Sequence, residues 1–261
     1  MMPMRGLHTY LFGAPGAPEV LAVHGLTGHG RRWEDLGTGL LSDTRIIAPD
    51  LRGHGRSPWT PPWGIDTHVA DLIEVLDEHA TGPVVVVAHS YGGAIALHLA
   101  KSAPERVRGL VLLDPAIGLP PETMGRIAEL VIAHPDYTDA AEARSEKVHG
   151  AWADVPAAAL DADLAEHLVE LENGRVGWRM SIPAVVASWG EMARDFVVPP
   201  PGTPTVLVQA MRVQPPYVTA EFRAALAETL GPDLTLADLD CDHMVAHAEP
   251  DEVAMLVRKL L

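Results

Sequence analysis

One serine in this sequence has the neighbours that a nucleophile needs. Ser90 lies in "AHSYGG", with Ala88 two positions before it and with Gly92 and Gly93 after it. The run matches the nucleophile-elbow pattern G-x-S-x-G, except that alanine takes the place of the first glycine. Residues this small let a strand and a helix approach each other closely around a strained central residue. The pattern predicts acyl-transfer chemistry, in which a base removes the proton of the serine hydroxyl.

The elements on either side of Ser90 support this interpretation. Residues 84–87 are four valines, a run typical of a strand buried on both faces. Residues 91–103 have the apolar spacing of a helix, and nothing interrupts it. Ser90 therefore lies where a strand turns directly into a helix. The alternative is that its hydroxyl only caps the start of that helix.

Strand-like and helix-like runs alternate along most of the chain. Strands are predicted at 19–24, 44–49, 83–89, 108–114, 203–210 and 234–240, and helices at about 67–80, 91–103, 218–230 and 250–261. This alternation predicts an α/β fold with a mostly parallel, doubly wound sheet. With an antiparallel edge near "GLHTYLFG", the sheet is expected to have about eight strands.

One long segment breaks the alternation. Residues 118–201 contain no convincing strand, four of their stretches favour helix, and proline-rich sequence lies at both ends. A single crossover needs only about a dozen residues, so this segment is predicted to be an insertion. We expect a core built from residues 1–117 and 202–261, with residues 118–201 forming a helical cap after strand six.

Charge and composition exclude several classes of function. The chain has 19 basic and 35 acidic residues, and a net charge of −16 argues against binding to nucleic acid or to an anionic membrane surface. No stretch approaches the roughly 18 apolar residues of a membrane span. Cys241 is the only cysteine and no signal peptide is recognised, so a cytoplasmic protein is expected. Formation of a homo-oligomer is left open.

Four motifs in their order along the chain resemble those of the α/β-hydrolase family. "HGLTG" (24–28) follows the family's third strand, where its oxyanion loop lies, and "DLRGHGRS" (50–57) follows the fourth. "AHSYGG" is similar to the elbow, and "DHMVAH" (242–247) to the late histidine region. The resemblance covers essentially the whole chain, and residues 118–201 lie where the family has its cap. It implies a serine carboxylesterase that cleaves a small-molecule ester through an acyl-enzyme, without cofactor or metal.

The resemblance also implies a base and two oxyanion donors. His243, on the loop after the last strand, is the implied base, and His247 is the second choice. The backbone N–H groups of Leu26 and Tyr91 are implied to hold the oxyanion, which leaves both side chains free to shape the pocket. Further pocket candidates are two residues of the oxyanion loop and two tryptophans of the cap: His24, Gly25, Trp152 and Trp189.

The catalytic acid departs from the family pattern. Most members carry an aspartate soon after the strand predicted here at 203–210, but the first carboxylate after that strand is Glu221, expected on the next helix. Asp114, which ends the strand 108–114, is the best substitute, because the ends of neighbouring parallel strands meet at one edge of the sheet. Asp114 alternatively caps a turn, and three other aspartates lie near the late histidine: Asp238, Asp240 and Asp242.

Other functions remain as alternatives. A hydrolase of carbon–carbon bonds in dienoic diketo acids has the same triad but needs a cationic anchor in the cap. The missing aspartate after strand 203–210 also permits a catalytically inactive ligand-binding relative. A metal site around Cys241 and His247 is disfavoured because the H-E-x-x-H pattern is absent. Arg31 and Arg32 are expected to be surface residues rather than to steer an anionic substrate.

Overall fold

The computed structural model describes residues 6–261, and its main sheet confirms the predicted α/β class. The strands of the described chain are β1 (Thr9–Gly13), β2 (Glu19–Val23), β3 (Arg45–Pro49), β4 (Val84–His89), β5 (Val107–Leu113), β6 (Leu168–Glu170), β7 (Val176–Trp178), β8 (Thr205–Ala210) and β9 (Leu234–Leu239). Seven of them form the main sheet in the order β1-β3-β2-β4-β5-β8-β9, where β1 is antiparallel to β3 and the other pairs are parallel. Among the described residues a single strand precedes β2, so the sheet has seven strands rather than about eight. For the same reason residues 118–201 follow the fifth strand of the chain rather than the sixth.

Helices cover both faces of this sheet. The α-helices of the described chain are α1 (Ile65–His79), α2 (Tyr91–Ser102), α3 (Pro121–Ala133), α4 (Ala140–Val148), α5 (Ala157–His167), α6 (Ile182–Met192), α7 (Ala220–Leu230), α8 (Val245–Ala248) and α9 (Pro250–Arg258). Helices α1, α2 and α7 pack on one face, and α9 packs on the other with the helical turns between residues 30 and 41. None of the helices in residues 6–261 has the length and apolar character needed to cross a membrane.

The valine run of β4 is explained by these two faces. Val84 and Val86 belong to the core under α1 and α2, whereas Val85 and Val87 belong to the core under α9. All four are fully buried. Successive side chains of a strand point to opposite faces, so a central strand covered on both faces needs an apolar residue at every position.

Residues 118–201 contribute no strand to the main sheet, but they are not entirely helical. Between α5 and α6 lies an antiparallel hairpin in which β6 pairs with β7. The prediction of no strand in this segment was wrong at this point, because each strand has only three residues and the run "DADLAEHLVELEN" has helical spacing. The segment bonds to the turn after β3, where Ser181 N–H donates to the Gly53 carbonyl at 2.7 Å and Gly55 N–H donates to the Arg179 carbonyl at 2.8 Å.

The glycine after the elbow allows β2 and α2 to touch. A Cβ atom on Gly92 would lie 2.5 Å from the His24 carbonyl oxygen and 2.7 Å from that of Val23. Gly125, inside α3, has no described atom outside its own helix backbone within 4 Å of the equivalent position. The two helical glycines therefore form a matched pair that differs only in surroundings.

We expect Gly92→Ala to lower the free energy of unfolding by about 1–3 kcal/mol, because the new methyl group overpacks against backbone. The control Gly125→Ala is expected to raise it by about 0.5–1 kcal/mol through helix propensity. Urea denaturation followed by circular dichroism measures both. Equal effects of the two substitutions would show that the strand and helix do not approach closely at residue 92.

Candidate active site

The backbone at Ser90 is strained and tightly held. Ser90 has φ = +53°, a region that costs free energy for any residue with a side chain. Its N–H donates to the Leu113 carbonyl at 3.0 Å, and its own carbonyl accepts from the N–H groups of Gly93 at 2.8 Å and Ala116 at 3.1 Å. The Ser90 hydroxyl makes no capping bond to α2. The predicted elbow is therefore present, and the hydroxyl does not serve as a helix cap.

Asp114 and His243 are joined by a short hydrogen bond. Asp114 follows β5 directly, is fully buried, and its Oδ2 accepts from His243 Nδ1 at 2.6 Å. Its Oδ1 accepts from the backbone N–H of Ala210, at the end of β8, at 3.3 Å. A carboxylate can only accept, so Nδ1 carries a proton, and Nε2 is the ring nitrogen left to act as a base.

The other aspartates considered for this role are engaged elsewhere or do not reach the ring. Asp238 and Asp240 each pair with an arginine of their own, Arg223 at 2.8 Å and Arg212 at 3.0 Å. Within residues 6–261, the carboxylate of Asp242 makes no hydrogen bond to the imidazole. Asp114 is therefore the carboxylate that the fold brings to His243.

Two aromatic rings fix the imidazole of His243, and the sequence did not identify either as functional. The ring centroids of His89 and Tyr217 lie 4.5 and 4.6 Å from that of His243. His89 Nε2 also donates to the His243 carbonyl at 2.7 Å, and burial lowers the pKa of His89 well below its usual value, so this ring stays neutral. Tyr217 lies in the loop after β8. The absence of the family's usual aspartate from this loop was the one sequence feature that pointed to it.

The loop after β2 is fixed by a buried histidine. The Nε2 atom of His24 accepts from the Leu51 N–H at 2.9 Å, so Nδ1 is the protonated nitrogen and donates to the Gly25 carbonyl at 2.7 Å. The Gly28 N–H donates to the same carbonyl at 3.0 Å. Burial lowers the pKa of His24 well below its usual value, which keeps this tautomer neutral. His24 thus holds the loop and does not line the cavity of Ser90.

Two backbone N–H groups beside Ser90 have no acceptor among the residues that the structure describes. Among residues 6–261, neither the Leu26 N–H nor the Tyr91 N–H donates to another protein group. Gly25 brings the loop close, since a Cβ there would lie 2.9 Å from the Ser90 Cβ. The Leu26 side chain lines the cavity as expected, whereas the Tyr91 side chain is fully buried against His68 and does not shape it.

Ser90 opens into a cavity of about 160 Å³. Its walls are lined by Leu26, Thr27, Arg32, His89, Ala116, Ala151, Trp152, Trp189, Met192, Tyr217, His243 and Met244. The cavity therefore brings Ser90 and His243 together with both of the predicted cap tryptophans. Among the pocket candidates, His24 and Gly25 instead line a smaller hollow next to it.

The second-choice base lies outside this cavity, and one of the two arginines is less exposed than expected. His247 stacks on Trp152 with ring centroids 5.3 Å apart, and burial lowers its pKa to about 4. It does not line the cavity of Ser90. Arg31 is half-exposed, but Arg32 was wrongly expected at the surface, since its side chain is only 7% exposed. Within residues 6–261, no group of three metal-ligating side chains is assembled.

Comparison with known proteins gives the family. A family model described as "Alpha/beta hydrolase family" matches residues 20–256. Lipase LipV of Mycobacterium tuberculosis is 52% identical over 255 residues, which cover 98% of this chain and 97% of that protein. Esterase YbfF of Escherichia coli is 24% identical over 250 residues, which cover 93% and 92%.

Solved structures show the same fold. E-2-(acetamidomethylene)succinate hydrolase superimposes with a TM-score of 0.79 at 21% identity, over 97% of this chain and 94% of that one. A marine microorganism esterase gives a TM-score of 0.77 at 19% identity, over 98% and 99%. The chain therefore belongs to the alpha/beta hydrolase family, as its motifs predicted, and it is a hydrolase of the esterase or lipase type.

Proposed function

We propose that this protein hydrolyses carboxylic esters of small molecules, with Ser90 as nucleophile, His243 as base and Asp114 as the acid that orients the imidazole. The observation that carries the proposal is the 2.6 Å bond from His243 Nδ1 to a buried carboxylate, because it directs the basic nitrogen away from that carboxylate. Ser90 and His243 line one cavity. The relative named Lipase LipV supports ester hydrolysis as the reaction.

The reaction follows from this arrangement in two halves. Ser90 Oγ attacks the ester carbonyl while His243 Nε2 takes the hydroxyl proton, and Asp114 stabilises the imidazolium that forms. The negative oxygen of the tetrahedral intermediate is held by the N–H groups of Leu26 and Tyr91, which have no other acceptor among the described residues. The C–O bond then breaks, the alcohol leaves with the proton from His243, and the Ser90 ester remains. A water molecule then attacks the Ser90 ester through the same steps, and the carboxylic acid is released.

The cavity walls favour an uncharged, apolar acyl or alcohol group of small to medium size. The segment 118–201, which we propose acts as a cap, contributes four uncharged residues to the wall: Ala151, Trp152, Trp189 and Met192. A neighbouring hollow of about 500 Å³ shares Thr27, Ala151 and Trp152 with this cavity and gives room for a longer chain. A carbon–carbon bond hydrolase would need a free cation from the segment. Lys147, which lines the neighbouring hollow, is already paired with Asp163 at 2.8 Å, so the ester is the better substrate class.

The nucleophile is tested with a fluorophosphonate probe and with 4-nitrophenyl butyrate. We expect the wild type to be labelled and active, and Ser90→Ala to lose both labelling and hydrolysis, because the hydroxyl is the atom that bonds phosphorus. Ser188→Ala removes a buried hydroxyl that donates to the Ala184 carbonyl at 2.9 Å, and it should keep both properties. A folded wild type that neither reacts nor hydrolyses esters would instead indicate the inactive ligand-binding alternative.

The acid is tested by Asp114→Asn. An asparagine can still occupy the site, but its amide favours the wrong imidazole tautomer, so kcat for 4-nitrophenyl butyrate is expected to fall roughly 10⁴-fold. Asp238→Asn removes a carboxylate that pairs with Arg223 and serves as the control, with kcat within about twofold of the wild type. Steady-state kinetics measures both. Near wild-type kcat in Asp114→Asn would remove Asp114 from the mechanism.

A further inference from the structure

A buried ionic cluster lies between the core and the segment 118–201. Asp163 of α5 accepts from Arg32 Nε at 2.6 Å and from His29 Nε2 at 3.0 Å, and Lys147 Nζ of α4 lies 2.8 Å from its other oxygen. All four side chains are at most 9% exposed. Although burial by itself raises the pKa of Asp163, its cationic neighbours hold that pKa well below its usual range, so the carboxylate is ionised.

Arg32 connects this cluster to the loop that carries the proposed oxyanion donor. While its Nε bonds Asp163, its Nη2 donates to the Thr27 carbonyl at 3.1 Å. Thr27 has φ = +59°, a conformation that a β-branched residue adopts only when its surroundings impose it. Leu26, whose N–H faces no acceptor within the described chain, is the residue immediately before it.

The two ends of the loop are therefore held by different parts of the molecule. The Gly25 carbonyl is held from within the core by His24, which restrains one end of the planar Gly25–Leu26 peptide that carries the Leu26 N–H. The Thr27 carbonyl is held by Arg32, whose own position depends on Asp163 of the segment. Loss of the bond from Arg32 would let Thr27 leave its strained conformation, and the Leu26–Thr27 peptide would then turn.

We propose that Arg32 is a positioning residue for the oxyanion loop, and that Asp163 in the segment 118–201 locks it in place. This inference rests on the proposed function, because it concerns the loop that stabilises the ester's tetrahedral intermediate. The segment then does more than cover the cavity. The way it packs on the core affects the direction of the Leu26 N–H, because the Arg32 guanidinium contacts both the segment and the oxyanion loop.

The same cluster also positions Trp152, a residue that lines the cavity of Ser90. Lys147 Nζ lies 4.1 Å from the ring centroid of Trp152, and the Arg32 guanidinium lies 4.9 Å from that centroid. Two desolvated cations against one ring restrict its position, because each is attracted to the face of the π-system.

The substitution Arg32→Lys distinguishes a role in positioning the oxyanion loop from a contribution to the stability of the fold alone. A lysine retains a charge for Asp163, but its single ammonium cannot act as the planar fork that reaches both Asp163 and the Thr27 carbonyl. We expect kcat for 4-nitrophenyl butyrate to fall about 10- to 100-fold, less than the loss of a whole oxyanion donor, while KM changes less than about threefold. The inhibition constant of a trifluoromethyl ketone, which forms an oxyanion on Ser90, should rise with the loss in kcat/KM, whereas that of the matched methyl ketone should not.

Arg52→Lys is the matched control. Arg52 and Asp71 form another largely buried arginine–aspartate pair, with bonds of 2.8 and 2.5 Å, and Arg52 makes no bond to the oxyanion loop within residues 6–261. This variant should keep kcat and both inhibition constants within about twofold. If Arg32→Lys does not fold, Asp163→Asn gives the same readouts, because it releases Arg32 from the segment.

The outcomes separate this proposal from the proposed function. A wild type that is not labelled by fluorophosphonate and hydrolyses no ester contradicts the function itself. An active wild type whose Arg32 or Asp163 variant keeps kcat, or loses kcat without weaker binding of the trifluoromethyl ketone, overturns the positioning role. A parallel loss of kcat and trifluoromethyl ketone affinity, absent from the Arg52 control, supports it.

Discussion

The hydrogen bond between His243 and the buried carboxylate of Asp114 is the interaction around which the rest of the site is arranged. A fully buried carboxylate is tolerated only when its oxygens are bonded, and here both are. Asp114 itself has φ = +45° and is held by its N–H bond to the Val208 carbonyl at 2.8 Å. The bond of Ala116 N–H to the Ser90 carbonyl at 3.1 Å then joins this strained turn to the strained elbow. The two strained positions are thus stabilised by each other and by the parallel strands that precede them.

Neutral histidines form a second layer of support. His24 fixes the loop after β2, and His89 bonds the backbone of His243 while its ring packs on the imidazole. Burial lowers the pKa of both well below the usual value, because desolvation disfavours the charged form of an imidazole. Neither ring therefore carries a charge that would repel the imidazolium expected at His243 during catalysis.

Much of the fold could be predicted because it depends on local pattern. The valines of β4 require cover on both faces, and the helix after Ser90 has unbroken apolar spacing, so the elbow follows from residues close together in sequence. The hairpin of β6 and β7 was missed because strands of three residues carry no usable periodicity. Arg32 was misread for a different reason. Its partner Asp163 is 131 residues away, and burial of an arginine is decided by that distant partner rather than by its neighbours in sequence.

The contact of Tyr217 with the imidazole has a similar explanation. The loop after β8 lacks the family's usual aspartate, and the sequence showed this gap, but it gave no sign that an aromatic ring would pack at that place. Tyr217 belongs to a loop, and only the adjacency of β8 and β9 in the sheet brings that loop to His243. Sequence pattern thus indicated the order of the elements, whereas tertiary contacts decide the surroundings of the imidazole.

The most direct test is a crystal structure of the protein after reaction with a small alkyl fluorophosphonate. We expect phosphorus bonded to Ser90 Oγ and one phosphonyl oxygen within about 3 Å of the N–H groups of Leu26 and Tyr91, the distance of an oxyanion hydrogen bond. We also expect His243 Nε2 to face the adduct while Nδ1 keeps its bond to Asp114. An adduct on another residue, or a phosphonyl oxygen turned away from both N–H groups, would be incompatible with the proposed mechanism.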